Sequence, residues 1–122
     1  MTEIAKAWAA GTVVTPASSG NAPAAGSIAA VRAQQPAAVS GVIRGYRAMS
    51  LTGTPACCYA LADGTGEIDL LFLGRISVSG LYPGRRCSAA GVVALRDGRF
   101  VLWNPQYWLQ AEGGGLGALG SG

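Results

Sequence analysis

Short segments in which apolar and polar residues alternate fill the middle of the chain and predict β-strands. Five segments are predicted as strands, at residues 39–46, 56–62, 67–73, 87–95 and 100–104. In the third segment Ile68, Leu70 and Phe72 share the face opposite Glu67 and Asp69, because successive side chains of a strand point to opposite faces. We expect the apolar face to point inward, since a register slip of one residue would bury both carboxylates.

The first two segments follow the same rule of alternation. The first is expected to place Val42, Arg44 and Tyr46 together on one face, and its two internal glycines indicate a bulge or a sharp bend. The second is expected to turn every other side chain inward, namely Cys57, Tyr59 and Leu61.

Turn signals separate the predicted strands. The segments at 63–66 (Asp-Gly-Thr-Gly) and 97–98 (Asp-Gly) predict hairpins, because aspartate and glycine tolerate the positive φ angles of tight turns. Residues 76–81 are predicted as a turn of helix or a loop, and Pro83-Gly84 then reverses the chain. Three strands, a connection and two further strands are typical of a small β-barrel or sandwich.

The two ends of the chain differ in composition from the middle. Residues 1–26 are rich in Ala, Gly, Ser, Thr and Pro and are predicted as a flexible arm, and the glycine-rich residues 111–122 are predicted as a flexible tail. Residues 27–110 are therefore the expected folded domain, beginning with a helical turn at 28–31 that ends before Pro36.

Composition narrows the classes of function. The formal net charge is +3, but only 12% of residues are charged, so any basic surface has to be local. Between residues 27 and 110 there are eight arginines, no lysine and four acidic residues, a net charge of +4. We expect a soluble protein that does not bind membranes, because no apolar stretch reaches the roughly 18 residues of a membrane span.

Cysteine and histidine usage points away from catalysis. The chain has three cysteines and no histidine, so the commonest general base and metal ligand is missing. Two of the cysteines, Cys57 and Cys58, are neighbours that would point to opposite faces of a strand. We therefore expect neither a disulfide framework nor a zinc site, and we expect a cytoplasmic protein without enzymatic activity or a cofactor.

Seven short motifs, taken in their order, resemble a known family. They are 39–44 (Val-Ser-Gly-Val-Ile-Arg), 63–68 (Asp-Gly-Thr-Gly-Glu-Ile), 73–75 (Leu-Gly-Arg), 80–84 (Gly-Leu-Tyr-Pro-Gly), Gly91, 97–99 (Asp-Gly-Arg) and 104–107 (Asn-Pro-Gln-Tyr). Over residues 27–110 the chain resembles small actinobacterial proteins with an OB-fold nucleic-acid-binding domain, akin to the wedge-type OB domains of helicases. The resemblance implies an all-β, five-stranded OB-fold Greek-key barrel, with a short helical turn between strands 3 and 4 and flexible termini.

The resemblance also implies a place for a ligand. Ligands of OB-folds lie across strands 2 and 3, between the loop that joins strands 1 and 2 and the loop that joins strands 4 and 5. Arginines would contact phosphates there, and aromatic rings would stack on bases. The candidates are Arg44, Arg47, Arg75, Arg96 and Arg99 for phosphates, and Tyr46, Trp103, Tyr107 and Trp108 for stacking. The expected function is the binding of nucleic acid, single-stranded DNA rather than RNA, with low sequence specificity.

A second function stays open at the level of the sequence. The expected ligand face carries Cys58, Ala60 and Ala62 from strand 2 and adds Asp69 and Leu71 from strand 3. This face is apolar and slightly acidic, which also suits a protein partner. Arginines on such surfaces are often solvated or paired with acidic side chains. The alternative is therefore a protein-interaction module that uses the apolar face of strands 2 and 3.

Overall fold

A computed structural model describes residue 20 and residues 22–110. Apart from a 3-10 helix at Ile28–Ala30, the elements of this part of the chain are strands. The strands are β1 (Pro36–Leu51), β2 (Thr54–Ala62), β3 (Glu67–Leu73), β4 (Arg86–Arg96), β5 (Arg99–Trp103) and β6 (Gln106–Leu109). All five predicted strands are present, β1 is longer than predicted at both ends, and β6 was not predicted.

The first five strands form a closed sheet. The order of pairing is β1-β2-β3-β5-β4, and β4 pairs again with β1. The pairing of β3 with β5 is parallel and the others are antiparallel, while β6 adds to β4 alone. Closure gives each of the five strands two neighbours, so most of their backbone groups are paired within the sheet.

A β-bulge in β1 changes which side chains face the core. Ile43 lies opposite Leu61, but Gly45 lies opposite the preceding residue of β2, so Arg44 is the extra residue. The bulge reverses the alternation beyond this point, and Tyr46 lies opposite Tyr59 on the core side of the sheet. The prediction that Tyr46 shares an outer face with Arg44 is therefore wrong. The two glycines of this strand indicated a bulge or a sharp bend, but they did not predict which side chains would change face.

The inward faces of β2 and β3 are as predicted. Both sets of alternating side chains belong to one buried cluster, with Cys57, Tyr59 and Leu61 from β2 and Ile68, Leu70 and Phe72 from β3. These six side chains are between 0% and 4% exposed. The prediction from period-two alternation is confirmed for both strands, because antiparallel pairing in register keeps equivalent faces together.

The connection between β3 and β4 lies against the core. Val78 and Leu81 are buried, and the Val78 N–H donates a hydrogen bond to the Tyr59 hydroxyl at 2.8 Å. Residues 74–85 form turns and bends, including a bond from the Leu81 N–H to the Val78 carbonyl at 3.1 Å. The expected short helical turn between strands 3 and 4 is thus not confirmed.

The β2–β3 turn fixes the segment that precedes β1. Asp63 accepts hydrogen bonds from the Ile28 N–H at 2.9 Å and from the Thr65 N–H at 2.8 Å. The hydrogen bond from the Thr65 hydroxyl, followed by those from the backbone donors, lowers the pKa of Asp63 to about 2. Ile28 is buried in the core cluster. The helical turn predicted at this point is present as the 3-10 helix at Ile28–Ala30.

The remaining predictions about the chain's organisation are only partly covered by the structure. The predicted arm and tail, residues 1–26 and 111–122, lie almost wholly outside the described residues, so the predictions about them stay predictions. Within residues 20 and 22–110, no helix has the length and apolar character needed to cross a bilayer.

Candidate functional site

Two tight hairpin turns, one between β1 and β2 and one between β4 and β5, lie beside the same cleft. The β1–β2 turn has positive φ at Thr52 (49°) and Gly53 (82°), and the β4–β5 turn has positive φ at Asp97 (53°) and Gly98 (78°). Two central residues with positive φ define the turn that matches the twist of antiparallel strands. The hairpin predicted from Asp97-Gly98 is therefore confirmed. A cleft of about 370 Å³ lies between the turns, lined by Arg47, Met49, Ser50, Leu51, Asp69, Arg96, Asp97 and Arg99. We call it the first cleft.

Three of the predicted phosphate contacts, Arg47, Arg96 and Arg99, meet in the first cleft. Arg47 comes from β1, on the far side of the bulge, and lies opposite Cys58. Arg96 and Arg99 flank the β4–β5 turn and lie opposite each other. Residues far apart in sequence thus place three arginines around one opening.

Arg99 is bound to two acidic side chains of β3, of which Asp69 lines the first cleft. Its Nε and Nη2 donate to the two carboxylate oxygens of Asp69 at 2.9 and 2.8 Å, and Nη2 also reaches Glu67 at 3.3 Å. These contacts, that with Asp69 foremost, raise the pKa of Arg99 further above its usual range. The Asp69 side chain is only 8% exposed, whereas that of Arg99 is 48% exposed. The positive charge of Arg99 is therefore already balanced within the protein.

Arg47 and Arg96 are the two arginines of this cleft that Asp69 does not bind. Arg96 lies 3.7 Å from Asp97, whose side chain is 84% exposed, so water screens this pair strongly. Arg47 is exposed. Its charge and hydrogen bonding oppose the rise in the pKa of the Cys58 thiol that burial and Asp69 cause.

A small apolar cluster continues the outer face beyond the cleft. Its buried members are Ala56, Leu71 and Val101, and the partly buried side chains packed against them are Met49, Leu51, Leu73 and Trp103. Trp103 lies opposite Leu71 on this face. Trp103 does not itself line the first cleft, but it is partly buried against the same cluster as Met49 and Leu51, which do.

The other aromatic candidates lie elsewhere. Tyr107 is 1% exposed, with its ring centroid 5.9 Å from that of Phe72, so the prediction that it contacts a ligand is not supported. Tyr46 is 42% exposed, but its ring packs 5.1 Å from Tyr59 and its hydroxyl donates to the Ile76 carbonyl. Trp108 lies on β6, opposite a serine of β4.

Two predicted arginines do not line the first cleft. Arg75 lies in the β3–β4 connection. Burial raises the pKa of the Cys57 thiol to about 11, and the charge of Arg75 is among the interactions that oppose this rise. Arg44 lines a second cleft of about 540 Å³, formed with Ser40, Gly41, Val42, Ala62, Asp63, Gly64, Glu67 and Arg86. Arg86 was not predicted, because its position after a Pro-Gly turn is equally typical of a solvated charge.

Metal ligation and sequence comparison add no further assignment. In the part of the chain that the structure describes, no three Cys, Asp or Glu side chains are grouped as metal ligands would be. No protein-family model matches the chain, and neither does any curated protein.

Proposed function

We propose that this protein is an OB-fold module that binds single-stranded nucleic acid, DNA rather than RNA, without enzymatic activity and with low sequence specificity. The observation that carries the proposal is the first cleft, where Arg47 and Arg96 flank an opening on the outer sheet face next to Trp103. The closed order β1-β2-β3-β5-β4, with β3 parallel to β5, supports the OB-fold and its Greek-key connection.

The chemistry of the cleft suits a phosphodiester chain. Arg47, together with Arg96 in its solvent-screened pair with Asp97, can attract phosphates, and a partly exposed indole offers a face on which a base can stack. Arg99 is expected to contribute little, because Asp69 already holds it. Two phosphate contacts on a single strand give a slope of about −1.4 for log K against log salt, since each contributes about −0.7. Binding should therefore be modest and sensitive to salt.

The alternative, a protein-interaction module, receives less support from the same face. Cys58 is 4% exposed and Leu71 is 1% exposed, and Leu71 belongs to the apolar cluster against which Met49 and Trp103 pack. The strand 2 and 3 face therefore offers little of the contiguous apolar area that a protein partner would bury.

Fluorescence anisotropy tests the proposal with a labelled single strand of about 5 nucleotides, within the range of site sizes for this fold. Raising the salt from about 50 to 200 mM should weaken binding about sevenfold, as a slope of −1.4 requires. Arg47→Gln and Arg96→Gln should each reduce the slope by about 0.7, while Arg32→Gln, an exposed arginine outside both clefts, should not. An absence of binding at low salt, or equal effects of all three variants, would refute the proposal.

A further inference from the structure

The second cleft holds a pair of arginines from neighbouring strands. Arg86, at the start of β4, lies opposite Val42 of β1, and Arg44 is the residue that the bulge adds to β1. Both side chains are exposed. Neither forms a side-chain hydrogen bond or an ion pair with any other residue in the described part of the chain. They differ in this respect from Arg99, whose charge is balanced internally.

The acidic side chains of the second cleft are already engaged. Asp63 accepts hydrogen bonds from three backbone N–H groups and the Thr65 hydroxyl, at 2.6 to 3.3 Å. Glu67 is 3.3 Å from the Arg99 guanidinium. The negative charge of the cleft is thus partly balanced by groups other than Arg44 and Arg86, so these two arginines keep donors free for an external anion.

The two clefts adjoin at one ion pair. Glu67 lines the second cleft and is bonded to Arg99, which lines the first. A single strand that leaves the first cleft past Arg99 therefore reaches Arg44 and Arg86 without crossing to another face of the sheet. Arg44 lines the second cleft together with Ser40 and Val42, and the bulge changes the alternation of β1 only beyond this residue.

We propose that the phosphodiester chain bound in the first cleft continues into the second, where Arg44 and Arg86 contact further phosphates. The inference rests on the proposed function and extends it, because it makes the binding track longer than one cleft and adds Arg86 to it. Four phosphate contacts instead of two give a long strand a salt slope of about −2.8, against about −1.4 for a short one.

The test compares oligothymidylates of about 5 and about 15 nucleotides, which lie near the two ends of the site sizes known for this fold. Arg44→Gln and Arg86→Gln should each reduce the salt slope for the long strand by about 0.7 and leave the short strand unaffected. Arg47→Gln should weaken both lengths. Arg32→Gln is the control for the loss of one exposed positive charge, and urea midpoints establish that each variant is folded.

Each outcome decides between the two proposals. If Arg44→Gln and Arg86→Gln match Arg32→Gln on the long strand, or weaken both lengths equally, the longer track is refuted, while a selective effect of Arg47→Gln still supports the first cleft. If the two variants weaken the long strand and Arg47→Gln has no effect, the anion site lies in the second cleft and the first is refuted. If the wild-type protein binds neither strand at low salt, both proposals fail.

Discussion

Replacing Arg99 by methionine should destabilise the fold more than replacing its partner Asp69 by asparagine. Arg99→Met keeps the aliphatic stem but removes both hydrogen bonds to a carboxylate whose side chain is 8% exposed. An ionised group left in such a site loses its partner without regaining full hydration. Asp69→Asn leaves a guanidinium that is 48% exposed, which can turn to water or to Glu67. Because Asp69 is much more buried than Arg99, losing the arginine should reduce the free energy of unfolding more than losing the carboxylate.

The magnitude follows from how far the pair is buried. Removing one partner of a fully buried pair costs about 3–5 kcal/mol. Water reaches the Arg99 side of this pair, so we expect about 2 kcal/mol for Arg99→Met and at most about 1 kcal/mol for Asp69→Asn. For a domain of this size, 2 kcal/mol corresponds to a fall in melting temperature of roughly 8–16 °C. The double variant should cost less than the sum of the two, because it removes the interaction only once.

Urea unfolding followed by tryptophan fluorescence measures these free energies of unfolding. Arg96→Met is the matched control, since it makes the same change at the other end of the β4–β5 turn, where the pair with Asp97 is 3.7 Å apart and largely exposed. It should change stability by less than about 0.5 kcal/mol. A cost for Arg99→Met equal to or below that of Asp69→Asn, or strictly additive costs in the double variant, would refute the reasoning.

Three further outcomes test the fold. Gly41→Ala should lower the free energy of unfolding, measured in urea, by about 1–3 kcal/mol, because the added Cβ would overlap the Ala62 carbonyl. Gly45→Ala should lower it less, since its Cβ would lie 4.0 Å from the nearest neighbouring atom. The reverse order of the two effects would contradict this packing. The pKa of Asp63 is lowered to about 2, so the stability that this carboxylate contributes is complete above its ordinary pKa and is lost as the pH falls towards 2. Asp63→Asn should therefore flatten the dependence of the free energy of unfolding on pH in the acidic range. An unchanged acid profile would contradict this prediction. Tyr107→Ala should cost about 3–5 kcal/mol and Tyr107→Phe far less; loss of nucleic-acid binding in a stable Tyr107→Phe would instead restore Tyr107 as a ligand contact.

The sequence was most informative where the determining physics is local. Asp97 and Gly98 take the two positive φ angles that their side chains tolerate, and the hairpin forms at the predicted place. The inward set of β3, with Ile68 and Phe72 at its ends, could be predicted because alternation depends only on the pleat of the strand itself.

The candidate site could be predicted in part. Arg96 and Arg99 were predicted as ligand contacts because they flank the Asp97-Gly98 turn, and both line the first cleft. The state of Arg99 could not be read from its position, since its partner Asp69 lies 30 residues earlier and meets it only because β3 and β5 pair. The burial of Tyr107 likewise depends on β6, a strand of four residues that the sequence pattern did not reveal.

By itself, then, the sequence determined five of the six strands, the inward faces of β2 and β3 and the Asp97-Gly98 turn, because backbone sterics and side-chain alternation act over a few residues. Only the tertiary structure decided how β1 continues past its bulge, that Arg99 is paired with Asp69, and that Arg44 and Arg86 line the same cleft. These outcomes depend on the register between strands distant in sequence, and a shift of one residue in that register changes the face and the neighbours of every side chain beyond it.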